Sequence, residues 1–219
     1  AAVSGGVHAS LWSGTAGSWV DLHPVGSTNS EAWGTSSTQQ VGLAEVGGVQ
    51  RASLWSGTPA SWIDLSPVGA TSSRAYDIVG THQVGTAVFN GSAHAALWSG
   101  SAASWVDLTP VGSTYSIGFG ISITHQVGWS LVGSSFRASM WTDTAGSWED
   151  LSLALPGSWG HTYAVDTWDD AFFTYVGGYG FNNTTAEYEA LLWSRPVPAP
   201  SVVALWSLGG MLAVRRRHR

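Results

Sequence analysis

Cysteine and lysine are both missing from these 219 residues, and charged residues of every kind make up only 10% of them. Without cysteine the fold can rest neither on a disulfide framework nor on a thiolate metal site. All eight basic residues are arginine, and four of them, Arg215, Arg216, Arg217 and Arg219, crowd into the last five positions. The body up to Pro200 therefore carries four arginines against fourteen carboxylates. An acidic, lysine-free surface has no electrostatic footprint for a phosphate backbone, so nucleic acid is not an expected partner. The opening residues Ala1-Ala2-Val3-Ser4-Gly5-Gly6 show no methionine, no basic segment and no apolar core of an export signal. What is plentiful is apolar: 44% aliphatic and aromatic residues, with fourteen tryptophans, enough to build a sizeable core rather than a disordered polyelectrolyte.

One unit is copied at a spacing of 43 residues, visible in Leu11-Trp12, Leu54-Trp55, Leu97-Trp98 and Met140-Trp141. Trp19-Val20-Asp21-Leu22 returns as Trp62-Ile63-Asp64-Leu65, Trp105-Val106-Asp107-Leu108 and Trp148-Glu149-Asp150-Leu151. Pro24-Val25-Gly26 returns at Pro67 and Pro110, and Gln40-Val41-Gly42 at Gln83 and Gln126. A looser fourth copy is longer by nine residues, and a segment containing Asp166-Thr167-Trp168-Asp169-Asp170 stands where the Gln-Val-Gly corner is expected.

Within a unit the period is two. Val7 to Trp12 alternates, a Gly/Ser/Thr-rich loop follows, and Trp19 to Leu22 reads as a second strand, Glu31 to Thr35 as a third and Gln40 to Val46 as a fourth. Glycine, proline and β-branched content exclude a helical repeat. The expected fold is all-β, a set of four-stranded repeats of propeller-blade length, closed or an open fan, with one hydrophobic helix at the C-terminus. Residues 1–195 form the repeat body, in units of about 8–50, 51–93, 94–136 and 137–189, and 196–219 form a separate tail with a short membrane helix over 201–214. The body reads as cut from a longer array, since Val3-Ser4-Gly5-Gly6 matches the end of a unit and Leu192-Trp193 the start of one.

His8-Ala9-Ser10-Leu11-Trp12, Trp-x-Asp-Leu, Pro-Val-Gly and Gln-Val-Gly resemble the HAF-type extracellular β-repeats of bacteria, over roughly Val7 to Trp193. The chain departs from that pattern where a phenylalanine would follow His-Ala, because Ser10, Ser53, Ala96 and Ser139 stand there. The resemblance implies an extracellular array and no catalytic residues.

The tail is tripartite. Val197-Pro198-Ala199-Pro200 holds the chain extended, Ser201 to Val214 is an apolar run, and the arginine cluster closes it. Fourteen helical residues span about 21 Å against a hydrocarbon core of about 30 Å, so length alone makes the span marginal. The arginines act as a cytoplasmic stop and leave the body outside. This arrangement resembles the PEP-CTERM sorting signal, here with Ala199 in place of the glutamate. The resemblance implies cleavage near Pro198-Ala199-Pro200 by an exosortase-type enzyme, from a membrane-anchored precursor to an envelope, surface or extracellular product.

Candidate chemistry is sparse. The recurring Asp21, Asp64, Asp107 and Asp150 each follow a strand, where a short carboxylate caps a turn or bonds nearby backbone. His8 and His94 share a repeat position with Arg51 and Arg137, and His82 and His125 one with Gln39, so neither position behaves as a ligand site. Asp166, Asp169 and Asp170 are the densest acidic group but lack the glycine and terminal glutamate of a calcium loop. Asn90-Gly91-Ser92 and Asn183-Thr184-Thr185 are chance-level glycosylation matches. No catalytic residue, metal site or cofactor is expected. Trp12, Trp55, Trp98 and Trp141 are first a packing element, and alternatively a row of stacking platforms for sugar rings. The leading expectation is a non-catalytic surface or matrix protein. A module binding extracellular polysaccharide comes second, and an enzyme with its site in the 160–185 insertion third.

Overall fold

The computed structural model describes residues 2–3 and 6–197, and the chain it describes is all-β. Four short strands come first: β1 (Ala2–Val3), β2 (Gly6–Val7), β3 (Ser10–Leu11) and β4 (Val20–Asp21). The first full sheet holds β5 (Ser27–Thr35), β6 (Gln40–Val46), β7 (Val49–Trp55) and β8 (Ile63–Asp64). The second holds β9 (Ser72–Val79), β10 (His82–Phe89), β11 (Ser92–Trp98) and β12 (Val106–Asp107). The third holds β13 (Ser113–Ile121), β14 (Gln126–Val132), β15 (Ser135–Trp141) and β16 (Glu149–Asp150), and a fourth, three-stranded sheet holds β17 (Trp159–Asp169), β18 (Phe173–Asn182) and β19 (Glu187–Pro196). Every pairing is antiparallel between sequence neighbours. Each four-stranded sheet thus joins the last two strands of one 43-residue unit to the first two of the next, and the three-stranded sheet ends on the first strand of the next.

Local chemistry accounts for the connections. In Pro24-Val25-Gly26-Ser27 the Ser27 amide donates to the Pro24 carbonyl over 3.2 Å with Gly26 at φ 87°, the position of a type II turn that needs glycine. The loop between the third and fourth strands contains a 3-10 turn, Pro59–Ser61 in the first sheet. The serine before the tryptophan ties it: Ser61 Oγ takes the Ser56 amide at 2.8 Å and donates to the Thr58 carbonyl at 2.6 Å.

Successive sheets pack face to face, and each inter-sheet core repeats one contact. The tryptophan closing the third strand packs on the leucine of Trp-x-Asp-Leu from the preceding sheet: Trp55 with Leu22, Trp98 with Leu65, Trp141 with Leu108 and Trp193 with Leu151. The first strands of neighbouring sheets lie side by side, stacking Trp33 on Tyr76 with centroids 5.2 Å apart and placing Phe119 5.0 Å beyond. These three rings occupy a β-bulge repeated in each first strand. Opposite the bulge, a Cβ on Gly42, Gly85, Gly128 or Gly178 would fall 1.8–2.0 Å from a carbonyl oxygen of the adjacent strand, so only glycine fits.

That geometry corrects the reading of the fourth unit. Gly178 pairs with Ala164 as Gly42 pairs with Ala32, so Val176-Gly177-Gly178 is its corner, and Asp166 to Asp169 instead end the first strand, with Asp170 opening the loop after it. The sequence signal was hidden because only the glycine is dictated by the close approach. The expected helix over 201–214 lies outside the described residues. Among the described residues no helix is long and apolar enough to cross a membrane.

Candidate functional site

The repeated polar residues meet across the sheets. The fourth strand is two residues long, so the third strand outruns it: Leu65 N donates to the Ala52 carbonyl at 2.8 Å, while the Ala52 amide crosses to Ser73 Oγ of the next sheet at 2.8 Å. Ala9 to Ser30, Ala95 to Ser116 and Ala138 to Thr162 repeat the bond at 3.0, 2.8 and 2.9 Å. All four acceptor side chains are fully buried, and the bond answers a backbone donor that would otherwise be orphaned.

Each recurring aspartate is used twice. Asp64 Oδ1 accepts the Ser66 amide at 2.8 Å, closing an Asx turn, while Oδ2 faces Arg51 Nη1 at 3.0 Å. Asp21 and Asp107 make the same turn with His23 and Thr109, and meet the Nδ1 of His8 and His94 at 2.8 Å. Burial pushes the Asp21 carboxyl up, but the His23 amide and the His8 ring outweigh it and hold the group below its ordinary value. In the fourth copy Asp150 keeps the turn to Ser152, and Arg137 reaches Ser152 Oγ instead of the carboxylate. Gln40, Gln83 and Gln126 are buried, each accepting the amide of a left-handed loop residue: Gly57, Gly100 and Asp143.

The tryptophans divide by position. Trp55, Trp98 and Trp141 are 0% exposed, sealed between sheets, so they are not stacking platforms for a sugar; the inter-sheet leucines already cover them. Trp12, at the same repeat position, is 50% exposed, and lines a shallow 200 Å³ depression with Trp33, His8 and Glu31. The other series is half-buried or more exposed and anchored by its indole N–H: Trp19, Trp62 and Trp148 donate to Ser10, Ser53 and Ser139 at 3.0, 2.8 and 2.8 Å. Trp105 has Ala96 opposite, and its buried Nε1 finds no acceptor among the described residues.

One cavity, of about 570 Å³, opens where the third and fourth sheets meet, lined by Ile123, His125, Asp169, Asp170, Arg195 and Val197 among others. The β13–β14 and β17–β18 loops and the end of β19 build it. Arg195 holds Glu149 with Nη1 at 2.9 and 3.0 Å and donates through Nη2 to His125 Nε2 at 2.9 Å. His125 Nδ1 lies 2.5 Å from Thr124 Oγ1, which donates to Asp169 Oδ2 at 3.0 Å, and Thr174 bonds Oδ1 at 2.7 Å. Burial, then the neighbouring Arg195, lowers the His125 pKa from its ordinary 6.5. Burial raises Asp169, but the hydroxyls of Thr174, Ser122 and Thr124 outweigh it and hold the carboxyl down. Both imidazole nitrogens are thus hydrogen-bonded, Nε2 accepting from Arg195 and Nδ1 facing the Thr124 hydroxyl.

His125, Asp169 and Asp170, each a candidate in the sequence, come together at one cavity; Arg195 and Glu149, separated by 46 residues, carry no sequence signal. Asp166 lies apart, on the first strand beside Gly120. Among the described residues no three His, Asp or Glu groups converge to hold a metal ion. Val197 ends the described chain, exposed, its amide donating to the Phe172 carbonyl at 2.7 Å. Pro198, Ala199, Pro200 and the arginines from Arg215 to Arg219 lie outside the described residues.

The fold and its hydrogen bonds define a stack of antiparallel four-stranded repeats. No family model matches the chain, and no curated protein matches it. Among solved structures, TolB from Acinetobacter baumannii is similar with a TM-score of 0.49 and 12% identity, over 86% of this chain and 48% of that one. The chain spans about half the length of that structure.

Proposed function

We propose that this protein is a non-catalytic, exported repeat protein of the bacterial surface or extracellular matrix, its sheets arranged as propeller-like blades and its tail serving as a PEP-CTERM-like sorting signal. The observation that carries the reading is the use made of the recurring polar residues. Aspartate, serine and glutamine at the 43-residue spacing are all committed to turns, loop amides and inter-sheet bonds. Face-to-face sheets with their first strands gathered side by side pack as propeller blades do. What recurs without serving the repeat is apolar: Val25, Val68 and Val111 are fully exposed at the same turn, a row suited to adhesive contact.

The tail is tested by intact-mass measurement on the envelope and secreted fractions of the parent cell. The mature protein is expected to lack everything after about Pro200, and changing Pro198, Ala199 and Pro200 to serine should trap the full-length precursor. A mature protein that retains Arg219 in cells possessing the processing enzyme would reduce the tail to an anchor.

A further inference from the structure

The cavity between the third and fourth sheets opens at the end of the molecule from which the chain runs on towards its apolar segment. Val197 lines it, and Val197 N is still hydrogen-bonded to Phe172 O. At this same rim stand two of the most exposed apolar side chains, Ile123 at 85% and Phe172 at 71%. Single exposed apolar residues are ordinary, but these are set apart by comparison within the repeat. The hairpin tip that carries Ile123 in the third sheet carries Ser37 in the first and Gly80 in the second. Apolar tips occur on the sheets next to the exit point, and polar or small ones on those further away.

Distance makes the comparison meaningful. From Val197 to Ser201, where the apolar run begins, an extended chain covers at most about 14 Å. The headgroup layer on each side of a bilayer is about 5–8 Å deep. If the apolar run forms the helix expected from its sequence, that helix measures about 21 Å, shorter than the hydrocarbon core, and a short span held by arginines on the far side would draw its near end inward rather than leave slack. The rim would then be held against the lipid surface whenever the tail is inserted.

We propose that Ile123 and Phe172 form a membrane-resting edge that enters the headgroup layer in the anchored precursor and orients the stack on the bilayer. The inference rests on the membrane reading of the tail. The contact is apolar rather than electrostatic, since the charges beside it are the carboxylates Asp169 and Asp170, which anionic lipid would repel, and Arg195, whose charge is already paired with Glu149. A zwitterionic surface is the matching partner.

The absence of cysteine from the whole sequence makes the test direct, because any introduced thiol is unique. Full-length chains carrying Ile123→Cys, Phe172→Cys, Ser37→Cys or Leu205→Cys, each labelled with an environment-sensitive fluorophore, are reconstituted into phosphatidylcholine vesicles containing a shallow spin-labelled lipid. Labels at 123, 172 and 205 should shift to the blue and lose fluorescence to the quencher, while the label at 37 stays as in water. Quenching at 205 with positions 123 and 172 behaving like 37 would overturn the edge and leave the tail reading intact. No quenching at 205 would overturn both.

Discussion

His94 Nδ1 lies 2.8 Å from Asp107 Oδ2, a donor and a carboxylate thirteen residues apart that the third and fourth strands of one sheet bring face to face. Arg51 and Asp64 stand in the same relation at 3.0 Å, so the position accepts an imidazole or a guanidinium as the aspartate's partner. Because the aspartate also receives the Thr109 amide at 2.8 Å, its two oxygens do different work. Both partners are partly exposed, and the pair alone is worth little. Asp107→Ala should therefore cost more than His94→Ala: about 1–2 kcal/mol against under about 1 kcal/mol, the difference being the unsatisfied turn amide. Urea midpoints of the two variants decide this, and equal losses would mean that the turn bond is idle.

Trp105 offers a gain rather than a loss. Three of the four equivalent indoles bond a serine hydroxyl, and the fourth faces Ala96. Ala96→Ser should supply the missing acceptor and stabilise the fold by about 0.5–1.5 kcal/mol, the ordinary net worth of a hydrogen bond. Ser53→Ala should remove the matching bond from Trp62 and destabilise by a similar amount. If Ala96→Ser proves neutral or harmful, close packing around this indole outweighs the bond.

Acid should reveal His125. A histidine whose folded pKa lies below its unfolded value binds its proton less readily when folded. The stability this contributes is whole above about 6.5 and is lost as pH falls through the lowered folded value. Asp169, also lowered, contributes stability that is present above about 3.8 and disappears below it. Chemical denaturation of the parent chain and of His125→Gln at pH 7.5, 6 and 5 should converge as pH falls, with no further convergence contributed by Asp169 in that range. Parallel curves would show that the cavity leaves His125 free to protonate.

Much was legible in the order of residues alone. The 43-residue period, the all-β character and the structural duty of Asp64 and Asp107 follow from local rules: strands alternate, a carboxylate after a strand caps a turn, and a unit copied three times reuses the same bonds. Only the tertiary structure decided which neighbours meet. Trp12 and Trp55 are identical by sequence position, yet one is half exposed and the other sealed, because Trp55 has Leu22 of the preceding sheet against it and Trp12 has no such leucine among the described residues. The corner of the fourth unit carries no Gln-Val-Gly signature for a related reason: a close approach of 2.0 Å demands glycine at 178 but leaves its neighbours unconstrained. Arg195 and His125, 70 residues apart, share no local pattern, and meet only because the fourth sheet is laid across the third. Periodicity records what a strand requires of itself, whereas burial and pairing between sheets are set by the face that packs upon it.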